Sequence, residues 1–171
     1  MTGIVPFSSR VPLFAVFLLS LSGGSAAAQD LEPPDVSSAV EEKAFVIVAS
    51  SNNYSEAVQV AALVAQEFDW KVDLRGLSED RAIGLTYSRE DCEESSWDFP
   101  CYVPRGRFDD GVWVSVEYSS TYDGLSRGLY IVVAASGALE DPDIPDTLAR
   151  VRDRFPSAFV HRAPVNLGCL H

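Results

Sequence analysis

Two stretches decide the fold: Ala44-Phe45-Val46-Ile47-Val48-Ala49 and Leu129-Tyr130-Ile131-Val132-Val133-Ala134. Each is a short apolar run rich in β-branched residues, so each reads as a strand. Ser50-Ser51-Asn52-Asn53 breaks the first run, and Asn53 or Ser55 is placed to cap a helix over residues 54–68. Ala57, Ala61, Val64 and Phe68 repeat at helical spacing and define its apolar face. Trp70-Lys71-Val72-Asp73-Leu74 then alternates as a second strand. The same order follows the later run. Asp143 and Asp146 open a helix that tolerates Pro145 in its first turn. Ile144, Leu148, Val151 and Phe155 repeat the spacing of the first helix, Pro156 ends it, and residues 158–162 form a closing strand.

A strand–helix–strand unit therefore occurs twice, offset by roughly 85–88 residues. Either unit alone leaves an apolar strand face bare. Joined, they predict an α+β fold: a ferredoxin-like βαββαβ two-layer sandwich with both helices on one side of four strands. An insertion at about 75–128 separates the repeats. Its polar, acidic first part holds Cys92 and Cys101 with eight residues between them. A bridge there would restrain a segment with little apolar anchoring and contribute roughly 2–3 kcal/mol. Three pairings remain open, because Cys169 is free, pairs with another chain, or displaces one of the first two; Cys92–Cys101 is the favoured pair. The second part reads as a hairpin, with Tyr102-Val103 leading through Asp109-Asp110-Gly111 into the alternation of Val112, Val114 and Val116.

Residues 1–28 read as a secretory signal peptide. Arg10 lies near the start, about 11 mostly apolar residues follow, and Ser25-Ala26-Ala27-Ala28 precedes Gln29. Residues 29–42, with Pro33-Pro34 and several acids, read as a flexible leader, and 43–171 as a single domain. The expected location is periplasmic or secreted, where disulfides persist. The 171-residue chain has a formal charge of −12, and loss of Arg10 makes the mature form one unit more acidic. So acidic a chain lacks the cationic surface that displaces counterions from phosphates, which argues against nucleic acid as a partner. No apolar run past the signal approaches the roughly 18 residues of a spanning helix, so no membrane insertion is expected after cleavage.

The strand openings Val46-Ile47-Val48-Ala49-Ser50-Ser51 and Ile131-Val132-Val133-Ala134-Ala135-Ser136 carry a family resemblance. So does the approach Tyr122-Asp123-Gly124-Leu125-Ser126-Arg127-Gly128-Leu129-Tyr130. The chain resembles the SPOR domain, the sporulation-related repeat of bacterial envelope proteins, over roughly residues 44–163. The resemblance implies binding of peptidoglycan glycan strands across the open face of the sheet. The family's polar Gln, Gly and aromatic positions are Ile47, Ala49 and Ser51 here. Phe45 and Ile47 share one side of the first strand, and Tyr130 with Val132 is expected on the equivalent side of its twin. Strands apolar on both sides are usually buried on both, so the insertion is a candidate cover for that face.

Candidate ligand-binding residues follow. Trp113, Tyr118, Tyr122 and Tyr130 offer rings for stacking on a pyranose, with core packing as the plainer role. Asn52, Asn53 and Tyr54, at the strand-to-helix turn, offer hydrogen bonds, with capping as the plainer role. Arg105, Arg107 and Arg127 offer cations to a carboxylate unless Asp109, Asp110 and Asp123 neutralise them. His161 and His171 are not spaced as a metal pair, and no cofactor is expected. Gly-x-Ser-x-Gly, His-Glu-x-x-His and phosphate-cradling glycine loops do not occur. The expected function is a non-catalytic envelope binding module for a peptidoglycan glycan or an envelope protein. The alternatives are a protein-interaction domain that uses the insertion as its partner surface and, more weakly, a cell-wall hydrolase using insertion carboxylates.

Overall fold

The computed structural model describes residues 40–168. The expected signal peptide, most of the leader, and Cys169 lie outside these residues. Strand β1 spans Val40–Ser51, helix α1 Tyr54–Phe68, strands β2 and β3 Ser78–Asp80 and Gly84–Thr86, and helix α2 Arg89–Glu94. Strand β4 spans Gly111–Tyr118, β5 Tyr130–Ala138, helix α3 Asp143–Arg152 and β6 Phe159–Asn166. The four long strands form one antiparallel sheet in the order β4-β5-β1-β6, and β2 and β3 make a small separate ribbon. The described residues are thus mixed α/β, with a four-stranded antiparallel sheet and three α-helices.

Local chemistry explains the elements. Asn53 has extended backbone angles, and its Oδ1 accepts from the Glu56 N–H at 3.1 Å, which starts α1. Asp69 in the left-handed region ends it, its N–H reaching the Ala65 carbonyl. Ala57, Ala61 and Val64 are buried as their spacing predicts, whereas Phe68 is only partly buried and stacks on Trp70 at 4.8 Å. Both long helices pack on one face of the sheet. There Ala61, Val64, Ile144 and Val151 meet Val46, Val48, Val116 and Val132.

Several expectations need correction. Residues 70–74 are not a sheet strand. They touch β4 through one parallel bridge, Val72 to Val114, flanked by Asp73 N–H to Val114 O at 2.9 Å and Val114 N–H to Lys71 O at 2.8 Å. The reason is local: Asp69 at φ 56° precedes the stretch, and Arg75 and Gly76 at φ 59° and 66° follow it, so the chain turns away at both ends. The second strand of the first repeat is instead β4, and the inserted material lies between α1 and β4. Tyr102-Val103 forms no hairpin with β4, because β4 takes β5 as its ladder partner. Ordered strand begins at Val40 rather than Lys43, since Val40 pairs with Asn166 of β6. Strand β5 continues through Ser136 and Gly137, which pair with Phe45 and Ala44.

The side-chain facing of β5 is also the reverse of expectation. Ile47 lies opposite Val133 and Ala49 opposite Val132 in the ladder, with bulges in between. Phe45 and Ile47 therefore share the face away from the helices with Ile131 and Val133, while Tyr130 and Val132 face the helices. That second face is covered. Ala163 and Val165 of β6 extend it, Tyr122 closes over it with Leu125 and Leu167 beside, and Phe45 and Ile47 are each 1% exposed. Phe45 and Tyr122 meet edge-on with centroids 4.9 Å apart.

Gly106 reports how tightly this cover is seated. Its φ is +99°, and a Cβ there would lie 2.8 Å from the Phe45 ring. Gly106→Ala is expected to destabilise the protein by about 1–3 kcal/mol through overpacking. Urea unfolding would measure this, and an unchanged midpoint would show that the cover rests loosely.

Candidate functional site

The cover is built around two arginines and one glutamate. The β4–β5 register shifts between Val112 and Ser115, so the ladder is interrupted there. Arg105, itself 0% exposed, fills the gap. Its guanidinium donates to the carbonyls of Gly111 at 2.7 Å, Trp113 at 2.9 Å and Val133 at 3.2 Å, and to the hydroxyls of Ser115 and Ser136. It also lies 3.6 Å from the centroid of the Trp113 ring. A bulge that would otherwise strand buried carbonyls is satisfied by one planar side chain with several donors.

Glu117 on β4 is equally buried. Its carboxylate accepts from the Tyr102 hydroxyl at 2.6 Å, from Arg75 Nη1 at 3.1 and 3.3 Å, and from the Arg105 backbone N–H at 3.2 Å. Arg75 also donates to the Tyr87 hydroxyl at 2.9 Å and pairs with Asp109 at 3.3 Å. The Tyr122 hydroxyl donates to the Arg105 carbonyl at 3.3 Å. One cation, Arg75, thus meets two carboxylates, and among the described residues no buried side-chain polar atom lacks a partner. Burial alone would lower the Arg75 pKa, but Glu117 and its neighbours outweigh it and raise it. Burial pulls Arg105 down to about 10, with Glu117 opposing, so it stays charged at neutral pH. Burial next to Glu117 pushes Tyr102 and Tyr122 well above the ordinary phenol range.

Outside this network lies an exposed aromatic surface. Helix α2, capped by Ser88, leads into the loop closed by the Cys92–Cys101 disulfide. Trp97 and Phe99 stand on that loop, 42% and 37% exposed, and Phe108 on the adjoining segment is 67% exposed. Arg89 covers Phe99 at 4.3 Å, and Arg107 lies 5.1 Å from the Phe108 centroid. Three depressions adjoin here, and Val103 and Arg107 border all of them.

The residues singled out from the sequence are scattered. Tyr54, Tyr118 and Tyr130 come together, with Tyr130 5.3 Å from Tyr54 and 5.4 Å from Tyr118, but they do so beneath the β2–β3 ribbon. There the Tyr130 hydroxyl donates to Glu79 or the Gly84 carbonyl. Tyr122 belongs to the second core and Trp113 lies under Arg105. Asn53 is the helix cap, while Asn52 and Arg127 are exposed and apart from the aromatic surface. Asp109 pairs with Arg75 and Asp110 with Lys43, so neither neutralises Arg107. Sequence reasoning passed over Trp97, Phe99 and Phe108. The available signal was large apolar rings inside a polar, acidic loop that cannot bury them.

No protein-family model, no curated protein and no solved structure matches the chain.

Two outcomes follow from the buried network. Glu117→Gln is expected to cost about 3–5 kcal/mol in denaturant unfolding, because it leaves buried cations undercompensated. Stability should also fall as pH rises above about 10, measured as melting temperature. There the unfolded chain releases phenol protons that Tyr102 and Tyr122 retain, so the unfolded state binds fewer protons. Arg105, with its lowered pKa, works in the opposite direction, but Tyr54, Tyr87 and Tyr130 are also raised and carry the balance.

Proposed function

We propose that the chain is a non-catalytic exported binding module that meets its partner through the insertion rather than across the sheet. The carrying observation is the contrast between the two sides of the cover: Phe45 and Ile47 are sealed beneath it, while Trp97 and Phe108 stand exposed upon it. A soluble monomer scatters single apolar residues, but neighbouring exposed rings on a braced loop mark interaction surfaces. Tyrosine, tryptophan and arginine are also the residues that most often anchor protein interfaces.

Export is supported by the disulfide. Among the described residues no helix is long and apolar enough to cross a membrane. The strand order β4-β5-β1-β6, with α1 following β1 and α3 following β5, supports reading the sheet as ferredoxin-like and the chain as SPOR-like. In that reading a glycan groove would run over the face that Tyr122 and Arg105 occupy. We therefore assign the ligand surface to the insertion and favour a protein partner over a peptidoglycan strand.

Deletion of residues 79–100 would not test this cleanly, since Leu85 belongs to the main core. A photo-crosslinking amino acid placed at position 97 or 108 in host cells is expected to yield a discrete adduct. The same group at Leu63, exposed on α1, is expected to yield none. Equal adducts from both surfaces would refute the assignment. Retention on purified sacculi that Trp97→Ala abolishes would move the ligand to a glycan.

A further inference from the structure

The three depressions beside Val103 and Arg107 have volumes of about 380, 520 and 350 Å³. Trp97 borders the second and third, and Pro100, Tyr87 and Phe108 each border one of them. The walls are rings, prolines and aliphatic carbon interleaved with polar groups, among them Thr121 and Asn166, so the chemistry of an occupant is set by which polar groups are still available. Arg75 is used by Glu117, Tyr87 and Asp109. Asp109 is used by Arg75 and the Gly106 N–H. The Tyr102 hydroxyl donates to Glu117 and accepts from the Tyr118 N–H. Arg107 differs. Its Nε donates to the Leu167 carbonyl at 2.9 Å, which fixes the side chain, and among the described residues it has no carboxylate partner. A chain of net charge −12 thus presents a positioned cation where its exposed rings gather.

We propose that this groove binds an extended, proline-bearing peptide segment of a partner protein, with one carboxylate of that segment seated on Arg107. The assignment rests on the reading of the chain as a binding module. A saccharide carries a hydroxyl on most ring carbons, and each one desolvated without a partner costs free energy. Against several such groups the second depression offers Arg107 and the Thr121 hydroxyl, which already donates to the Tyr118 carbonyl. A segment in the polyproline II conformation lacks amide hydrogens at its prolines and lays its rings against aromatic walls, so it leaves little unsatisfied. The carboxylate follows from charge complementarity: a guanidinium and a carboxylate form a strong charge-assisted hydrogen bond. The overall acidity of the chain would by itself favour a basic partner. An acidic consensus is therefore a sharp expectation of the local geometry.

The test is to pan a phage-displayed random dodecapeptide library on the oxidised protein, then to measure fluorescence polarisation of the enriched peptides. The expected result is a consensus with Asp or Glu close to Pro. Affinity should fall about tenfold or more in Arg107→Glu and less in Arg107→Lys, since the first reverses an interfacial charge and the second keeps it while losing the planar guanidinium fork. Trp97→Ala should cost about tenfold as the loss of a buried aromatic anchor. Thermal melts confirm that each variant is folded. A basic consensus, no enrichment, or peptides that bind Arg107→Glu as well as they bind the unaltered protein would overturn the proposal. A discrete adduct from position 97 in cells together with no enriched peptide would overturn the peptide assignment alone. Absence of both would remove the binding-module reading as well.

Discussion

Phe45 and Ile47 stand on the side of the central strand that no helix covers, beside Ile131 and Val133 of its neighbour. Exposing four such side chains would forfeit roughly 1.5–3 kcal/mol for each, a large share of a small domain's net stability. The chain answers with the stretch before β4, the connection after it and the end of β6. Most of the remaining structure on that side follows from this need. Apolar side chains alone do not finish the cover, because it crosses a break in the β4–β5 ladder where backbone carbonyls would be buried unpaired. Arg105 resolves the conflict, and Glu117 is needed in turn because Arg105 and Arg75 bring charge into a dry place. The network is best understood as a chain of obligations. Each buried group is there to satisfy the one before it.

The same chain of contacts turns a loop-rich insertion into a rigid platform. Arg75, in the stretch that follows α1, reaches Glu117 on β4, Tyr87 after β3 and Asp109 before β4. Three segments that share no ladder are thereby held by one guanidinium. The disulfide adds a constraint on the loop that bears Trp97 and Phe99. Its effect is mainly on the unfolded chain, whose freedom it reduces. Rings held by such bracing lose little entropy on binding, which is the physical advantage of preorganisation.

The elements formed by local pattern were legible in the sequence. The apolar runs of β1 and β5 and the helical spacing of α1 stand where the pattern puts them, and Asn53 caps as its type suggests; α3 begins as expected at Asp143 but ends at Arg152, short of Pro156. What failed was pairing. Alternation made residues 70–74 look like a strand, but alternation says nothing about the left-handed residues on either side that send the chain away. The alternation of Val112, Val114 and Val116 marks a strand but not its neighbour, because a turn signal before a strand does not state what lies across it. The facing of Tyr130 and Val132 was inverted for a related reason. Side chains alternate with period 2, so a bulge or a one-residue error reverses every assignment. The candidate site was scarcely legible. Its arginine was noted, but its rings come from positions that neither period nor motif marks.

The aromatic side chains of this protein divide into two populations, and the division bears on function more than any one of them does. Tyr54, Tyr118 and Tyr130 cluster under the ribbon, and Tyr102 and Tyr122 are tied into the buried network. The hydroxyls of Tyr54, Tyr102, Tyr122 and Tyr130 each have a protein partner, so these rings are structural in the full sense: their polar tips as well as their faces are used. Trp97, Phe99 and Phe108 follow no such logic. Phe99 and Phe108 have no polar tip to satisfy, the exposed faces of all three rings gain nothing from the fold, and two of the three lie in the disulfide loop. An insertion serving only as a cover would need apolar residues on its inner side alone. Large rings on its outer side add no packing and carry a solubility cost, so selection for folding does not account for them, whereas a surface that something else must bury does.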